Sequence, residues 1–471
     1  MGLRVVLLVM LVGGLGLSGC DSATQRPERP EREERLGRAD GPPNIVLLIS
    51  DDQGWQDFGF MGHPHVRTPN IDRLASQGVV FSHGFNTASA CRPSLRTLLT
   101  GLAPLQLEAM EEQLVEPGVR FPNLVAMSKA ETLPERLADA GYVSFQSGKY
   151  WEGPYSLSGF SEGMSEGYSA ERARESGIMH ELSGGAGNDI GRVTMQPVLD
   201  FIDRHVDEPF FIWFAPMLPH VPHDPEPDFI KPYRKPSIEP ARRLYYGNIT
   251  RLDTRIGEIL DRLEAHGLSD NTLFVFLADN GWDWDHSGEP MVANIGGPKG
   301  KFSLYEQGFR TPIVFSWPGR IAGGRRLSEL VSTVDLFPTL GELAGLSPEP
   351  SIRTGRSLAP LLRGEPRRPR ERVIGSIGRL RKPVAAGGEK AGSLAIEETG
   401  YFLRAPRWRY VWYPERDREE LYAIEGDPFE QRDLIAAHRE RAAGYRAEVE
   451  AWVARMRVVV PAPPPATSPR P

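Results

Sequence analysis

Two short pairs of oxygen-bearing residues stand directly after apolar runs. Asn44-Ile-Val-Leu-Leu-Ile-Ser50 leads into Asp51-Asp52, and Thr272-Leu-Phe-Val-Phe-Leu-Ala278 leads into Asp279-Asn280-Gly281. Four oxygen donors converging at one sheet edge suit a hard divalent cation, Ca²⁺ or Mg²⁺. Asp and Asn are also ordinary turn formers, and Asn-Gly is a turn signal. Each pair alone therefore says little, and the two together make a metal site the expectation. A third feature is Cys91 in the stretch SACRPSLRTLLTG. Pro93 marks a helix start, and a side chain there faces the positive end of the helix dipole. Such a place stabilises anions and is expected to lower a thiol's pKa. The plainer alternative is a buried structural cysteine.

Both acidic pairs need strands to carry them. Their apolar runs are continuous, as in strands buried on both faces of a parallel sheet. Pro209-Phe-Phe-Ile-Trp-Phe-Ala215 and Pro312-Ile-Val-Phe-Ser316 read the same way, and Val79-Val80-Phe81 begins another extended piece. Thr68 is expected to cap a helix that starts at Pro69, buries Ile71, Leu74 and Ala75, and stops at Gly78. Helical spacing recurs from Tyr246 to Leu263. Strand and helix alternate, so the predicted class is α/β, a large, mostly parallel central sheet flanked by helices. Ligands in such sheets sit beyond the carboxyl ends of the strands. After about Arg370, short strands near Tyr401, Trp408 and Glu420 and a charged helix from Asp433 predict a smaller antiparallel C-terminal subdomain.

The chain has 471 residues, 40% apolar content and a net charge of −7. This is ample for a core and argues against nucleic acid as the main partner. Met1 to Leu17 combines a basic start with an apolar run too short for a comfortable span, and reads as an export signal. It ends in LSGC, which resembles a bacterial lipobox, so Cys20 is expected to carry lipid and tether the protein to a membrane. Residues 1–20 are then a lipoprotein signal peptide and 21–43 a charged, Pro- and Arg-rich disordered tether. Residues 44–370 form the catalytic domain, 371–455 the C-terminal subdomain and 456–471 a Pro-rich tail. The expected location is the bacterial cell envelope, outside the cytoplasm on the periplasmic or surface side. With Cys20 lipidated, Cys91 has no disulfide partner.

The motifs follow a known order. NIVLLISDDQGWQDFGFMG, TPNIDRLASQGVVF, SACRPSLRTLLTG, GYVSFQSGK, PFFIWFAPMLPHVPH, LADNG, KFSLYEQGFRTP, STVDLFPTLGELAG and ELYAIEGDPFEQRDL together resemble the formylglycine-dependent sulfatase family, of alkaline-phosphatase-like fold, from Asn44 to about Leu434. The resemblance implies that a formylglycine-generating maturation enzyme oxidises Cys91 to formylglycine. The hydrated aldehyde, a geminal diol, then attacks the sulfur of a sulfate ester. The alcohol leaves and the second hydroxyl expels sulfate. It further implies Ca²⁺ (or Mg²⁺) held by Asp51, Asp52, Asp279, Asn280 and the modified Cys91. Lys149 and Lys301 would neutralise the sulfuryl group, and His220 would bind sulfate and protonate the leaving alcohol. Lys301 fits better than Lys299, because it lies five residues before Glu306. Sulfated carbohydrate is the expected substrate.

Two positions depart from the family pattern. Leu95 stands where the signature has Arg, with Arg96 one residue late, about 100° further round a helix. Leu95 is expected to join Leu98, Leu99 and Leu102 on an apolar face. Trp151 stands where the family has His. The metal set, both lysines and His220 remain, which favours a divergent, active subgroup in which Arg92, Arg96 or His286 substitutes. Two other readings stay open: a phosphoester or phosphonate hydrolase using unmodified Cys91, and a catalytically dead, glycan-binding lipoprotein.

Overall fold

A computed structural model describes residues 41–116, 122–283, 299–348, 351–377 and 399–458. The expectations for Cys20 and the rest of residues 1–40, for His286 and for the tail beyond Val458 lie outside the described residues. Eight strands form the main sheet: β1 (Asn44–Ser50), β2 (Val79–Phe85), β3 (Val143–Gly148), β4 (Glu162–Gly163), β5 (Phe210–Ala215), β6 (Thr272–Ala278), β7 (Arg310–Ser316) and β8 (Arg325–Ser332). Their spatial order is β4-β3-β5-β1-β6-β7-β2-β8. All neighbours run parallel except β7, which is antiparallel to both β6 and β2.

Alternation along β1 sends its side chains to two different layers. Ile45, Leu47 and Ile49 join Leu95, Leu98 and Leu99 of helix α2 (Cys91–Thr100) on one face. Val46 and Leu48 join Ile71, Leu74 and Ala75 of helix α1 (Pro69–Gln77) and Leu252, Ile256 and Ile259 of the long helix Pro240–Ala265 on the other. Apolar layers on both faces are why β1, β5 and β6 have no polar alternation.

Helix α1 begins at Pro69 as expected, but the Thr68 hydroxyl does not cap its backbone. It donates to Asp72 Oδ1 at 2.9 Å and accepts from Gly59 N–H at 2.9 Å. Gly78 ends the helix in extended backbone; a Cβ there would lie 2.1 Å from the Phe315 carbonyl oxygen. Close approach of β7, not a left-handed turn, selects glycine.

A second, antiparallel sheet of β9 (Val373–Ile377), β10 (Gly400–Arg404), β11 (Trp408–Tyr413) and β12 (Arg418–Ala423) forms the C-terminal part, in the order β12-β11-β10-β9. The helix Arg439–Met456 packs Ala442, Tyr445, Val449 and Trp452 on it. That helix starts six residues after the expected Asp433, because Ile435–Ala437 forms a separate 3₁₀ turn. Both sheets belong to one compact unit.

A fully buried ion network joins the two sheets. Arg409, 0% exposed, donates through Nε to the Leu304 carbonyl at 2.9 Å and lies 3.4 Å from Glu306 and 3.1 Å from Glu430. Arg404 pairs with Glu306 at 2.9 Å, and Glu430 accepts the Glu306 backbone N–H at 2.9 Å. Removing one partner of a buried ion set leaves uncompensated charge. Arg409→Met is therefore expected to cost about 3–5 kcal/mol, read as a lower urea midpoint. A midpoint unchanged from wild type would show that the network does not carry the junction.

Candidate active site

The carboxyl ends of four neighbouring parallel strands, β3, β5, β1 and β6, supply most of the polar groups. Lys149 follows β3, His220 lies in the loop after β5, Asp51 and Asp52 follow β1, and Asp279 and Asn280 follow β6. The β1–β6 register pairs Ser50 with Ala278, so both acidic pairs leave the sheet side by side. Gly148 bends the chain at φ +86°, and a Cβ on it would lie 2.0 Å from the Ala215 carbonyl oxygen. Only glycine allows Lys149 to turn out of the sheet so close to β5. Asp52 itself adopts φ +62°. Its N–H donates to Asp279 Oδ1 at 3.2 Å, and its Oδ1 accepts from Asn280 Nδ2 at 2.6 Å. Left-handed backbone at a non-glycine residue persists where neighbours fix it.

Cys91 is the first residue of α2, after Ala90 in extended conformation. Lys301 arrives on a separate loop. Its N–H donates to the Trp282 carbonyl, and the next N–H, from Phe302, donates to the Ser89 carbonyl, both at 2.8 Å. These ties fix the Lys301 loop between the β6 end and the segment entering α2.

The side chains meet in a buried cluster. Lys149 Nζ lies 2.7 Å from Asp51 Oδ2 and 3.2 Å from Cys91 Sγ. Lys301 Nζ lies 2.8 Å from Asp52 Oδ2, and His220 Nε2 lies 3.3 Å from the same oxygen. Cys91 Sγ is 3.4 Å from Asp51 Oδ1. His220 Nδ1 contacts the Val221 carbonyl at 2.7 Å.

Electrostatics follow from burial among opposite charges. Burial opposes ionisation of Asp52, but Lys301, His220 and Lys149 hold its carboxyl well below the usual range. Burial, reinforced by Asp51 and Asp52, pushes the Asp279 carboxyl far up. Burial and the Lys149 charge lower His220 to about 4, so its ring is neutral at neutral pH. The Cys91 thiol goes the opposite way from expectation. Burial drives its pKa well above the ordinary thiol value, despite Lys149 and Lys301 and with Asp51 and Asp279 adding to the rise. Desolvation and neighbouring carboxylates outweigh the start of one ten-residue helix.

The donor set fits a hard cation. One ligand atom each from Asp51, Asp52, Cys91 and Asp279 all lie within 4.8 Å of one another. Asp279 Oδ2 and Asn280 Oδ1 are buried with no hydrogen-bond partner. Buried oxygens without donors are what a cation would satisfy. Asp52, His220 and Asp283 also approach within 4.8 Å. The Lys301 ammonium, 2.8 Å from Asp52 and 3.8 Å from Asp283, already supplies a cation there.

Arg92, Arg96 and Trp151 make other contacts. Arg92 Nε donates to Glu152 Oε1 at 3.0 Å, and Arg96 lies 2.7 Å from Glu111 and 3.9 Å from Glu152. Trp151 packs half-buried against the larger apolar layer, its indole N–H without a partner. Leu95 lies 4% exposed with Leu98, Leu99 and Leu102. Lys299 donates to the Glu430 carbonyl, away from the cluster. Sequence reasoning missed Asp283 and Glu152. Their one signal is an acidic residue shortly after Asn280 and shortly after Lys149.

Because burial and the neighbouring Asp51 and Asp52 push the Asp279 carboxyl upward, a divalent cation competes with its proton, and proton release on Ca²⁺ addition is expected to be larger in the wild type than in Asp279→Asn. Calorimetry in buffers of different ionisation enthalpy reads this directly. Proton release that persists undiminished in Asp279→Asn would assign it elsewhere.

The sulfatase family model matches residues 43–346. N-acetylgalactosamine-6-sulfatase of Canis lupus familiaris is 32% identical over 364 residues, covering 69% of this chain and 67% of that one. Arylsulfatase A of Homo sapiens is 30% identical over 376 residues, covering 71% and 70%. The crystal structure of Ps i-CgsB in complex with k-i-k-neocarrahexaose superposes with a TM-score of 0.69 at 23% identity, covering 88% of this chain and 93% of that one, and shows the shared fold. With its metal-type carboxylate cluster around Cys91, this chain belongs to the sulfatase family of sulfuric ester hydrolases.

Proposed function

We propose that this chain hydrolyses sulfate esters of a sulfated carbohydrate, using formylglycine made from Cys91 and a bound Ca²⁺. One observation carries the reading. Cys91 sits 3.2 Å from Lys149 Nζ and 3.4 Å from an Asp51 oxygen, inside a carboxylate set with unclaimed oxygens. Carbohydrate as substrate is supported by the relatives, a sugar sulfatase and a structure bound to an oligosaccharide. The lipid anchor at Cys20, the cell-envelope location and the maturation enzyme belong to the same proposal.

Asp51, Asp52, Asp279, Asn280 and the converted Cys91 would hold the metal. When bound, the cation would polarise sulfate oxygens while the formylglycine hydrate supplies the nucleophilic hydroxyl. Lys149 and Lys301 are fixed by Asp51 and Asp52, so their ammonium groups need no rearrangement to meet the charge on a sulfuryl group. Both are nearly excluded from water, at 3% and 6% exposure, which strengthens that interaction. His220 has one ring nitrogen on the Val221 carbonyl, which orients the other toward Asp52. With its one proton on the nitrogen facing that carbonyl, the neutral ring presents Nε2 to the site as an acceptor, which must first take up a proton before it can pass one to the ester oxygen.

Sulfate release from a panel of sulfated saccharides tests the reading. Turnover is expected for the matured protein, none for Cys91→Ala, and a kcat reduced by about 10²–10⁴ for His220→Ala. Phosphate-ester turnover retained without maturation, or glycan binding without turnover of any sulfate ester, would contradict it.

A further inference from the structure

Four charged side chains form a second network behind the nucleophile, and the chemistry above does not use them. At its centre is Glu152, 1% exposed and three residues beyond Lys149. Its Oε1 accepts from Arg92 Nε at 3.0 Å and its Oε2 accepts from Arg92 Nη2 at 3.4 Å, a two-point grip on one guanidinium. The same Oε1 lies 3.9 Å from Arg96 Nε. Arg96, 8% exposed, lies 2.7 Å from Glu111 of helix α3 (Pro104–Leu114). Two guanidinium and two carboxylate groups therefore balance, with Glu152 and Arg96 buried and the Arg92 and Glu111 side chains 34% and 24% exposed.

The network's place in the chain gives it its consequence. Arg92 is the neighbour of Cys91, and Glu152 lies on the loop that carries Lys149. The two segments come from different parts of the fold, the start of α2 and the end of β3. A planar guanidinium gripped at two points fixes direction as well as distance. We propose that Glu152 is a positioning residue: through Arg92 and Arg96 it locks the Cys91 end of α2 against the Lys149 loop and sets the Cys91–Lys149 spacing at 3.2 Å. The inference rests on the proposed sulfatase chemistry for its effect on turnover, but not for its effect on geometry.

Two measurements on Glu152→Gln test it. In a crystal structure of the variant, the Cys91 Sγ–Lys149 Nζ separation is expected to open by about 1 Å, and kcat on a sulfate ester to fall about 100-fold with KM unchanged. Glu152→Asp, which keeps the charge, is expected to recover most of that loss. The spacing is read whether or not the wild type hydrolyses sulfate esters, so failure of the sulfatase reading remains distinct. Wild-type spacing in Glu152→Gln would overturn the proposal, as would wild-type kcat with only thermal stability lost. If that variant does not fold, Arg92→Lys decides, because it keeps the cation and removes the two-point grip. A kcat lowered about 10-fold at unchanged thermal midpoint supports the proposal, and an unchanged kcat overturns it.

Discussion

Three carboxyl groups buried together at the ends of two adjoining strands are the constraint on which the rest of this structure depends. The β1–β6 register forces Asp51, Asp52 and Asp279 into one space. Two like unit charges about 4 Å apart repel by about 4 kcal/mol at an effective dielectric of 20. Such a cluster is stable only with cations built around it. Among the described residues, Lys149 and Lys301 supply them, each at salt-bridge distance from one of these three aspartates. Asp279 has neither as a direct partner, and its carboxyl is pushed upward, with one oxygen unclaimed. That is the opening a divalent cation would fill.

The surrounding architecture keeps those cations in place. Gly148 lets the β3 end turn sharply, which delivers Lys149. Backbone ties to Trp282 and Ser89 deliver Lys301. The C-terminal sheet adds a second constraint: Arg409 holds the Leu304 carbonyl, three residues past Lys301, from a wholly buried position. The small sheet thus bears on the chemistry without contributing to the reacting cluster. The same burial that strengthens the lysines works against a thiolate at Cys91.

Much of this frame was legible in the sequence, where burial on both faces writes an unbroken apolar run. β1, β5 and β6 were readable for that reason, and α1 from its Thr-Pro start. β3 was not, because VSFQSG carries Ser and Gln that are buried but hydrogen-bonded, to Ser161, Ser165, Gly148 and Trp213. β8 alternates polar and apolar residues as an edge strand does, and β9 is short and offers little pattern. The acidic pairs could be read as metal donors from residue type and place alone. Lys149, Lys301 and His220 could not, since a lone lysine reads as a solvated charge until a motif places it. The direction of the Cys91 pKa was misread. Helix position is visible in sequence, whereas the desolvation that outweighs it exists only in the packed structure. Glu152 was silent for the same reason: its partners lie about sixty residues away.

The central claim is that this buried cluster serves a formylglycine generated at position 91. The most direct measurement is mass spectrometry of the peptide spanning Ser89–Gly101, from protein produced together with a formylglycine-generating enzyme. The account predicts aldehyde or its hydrate in place of the thiol, in step with sulfate-ester turnover across preparations of different conversion. A peptide that stays wholly thiol in protein that still turns over sulfate esters would contradict it.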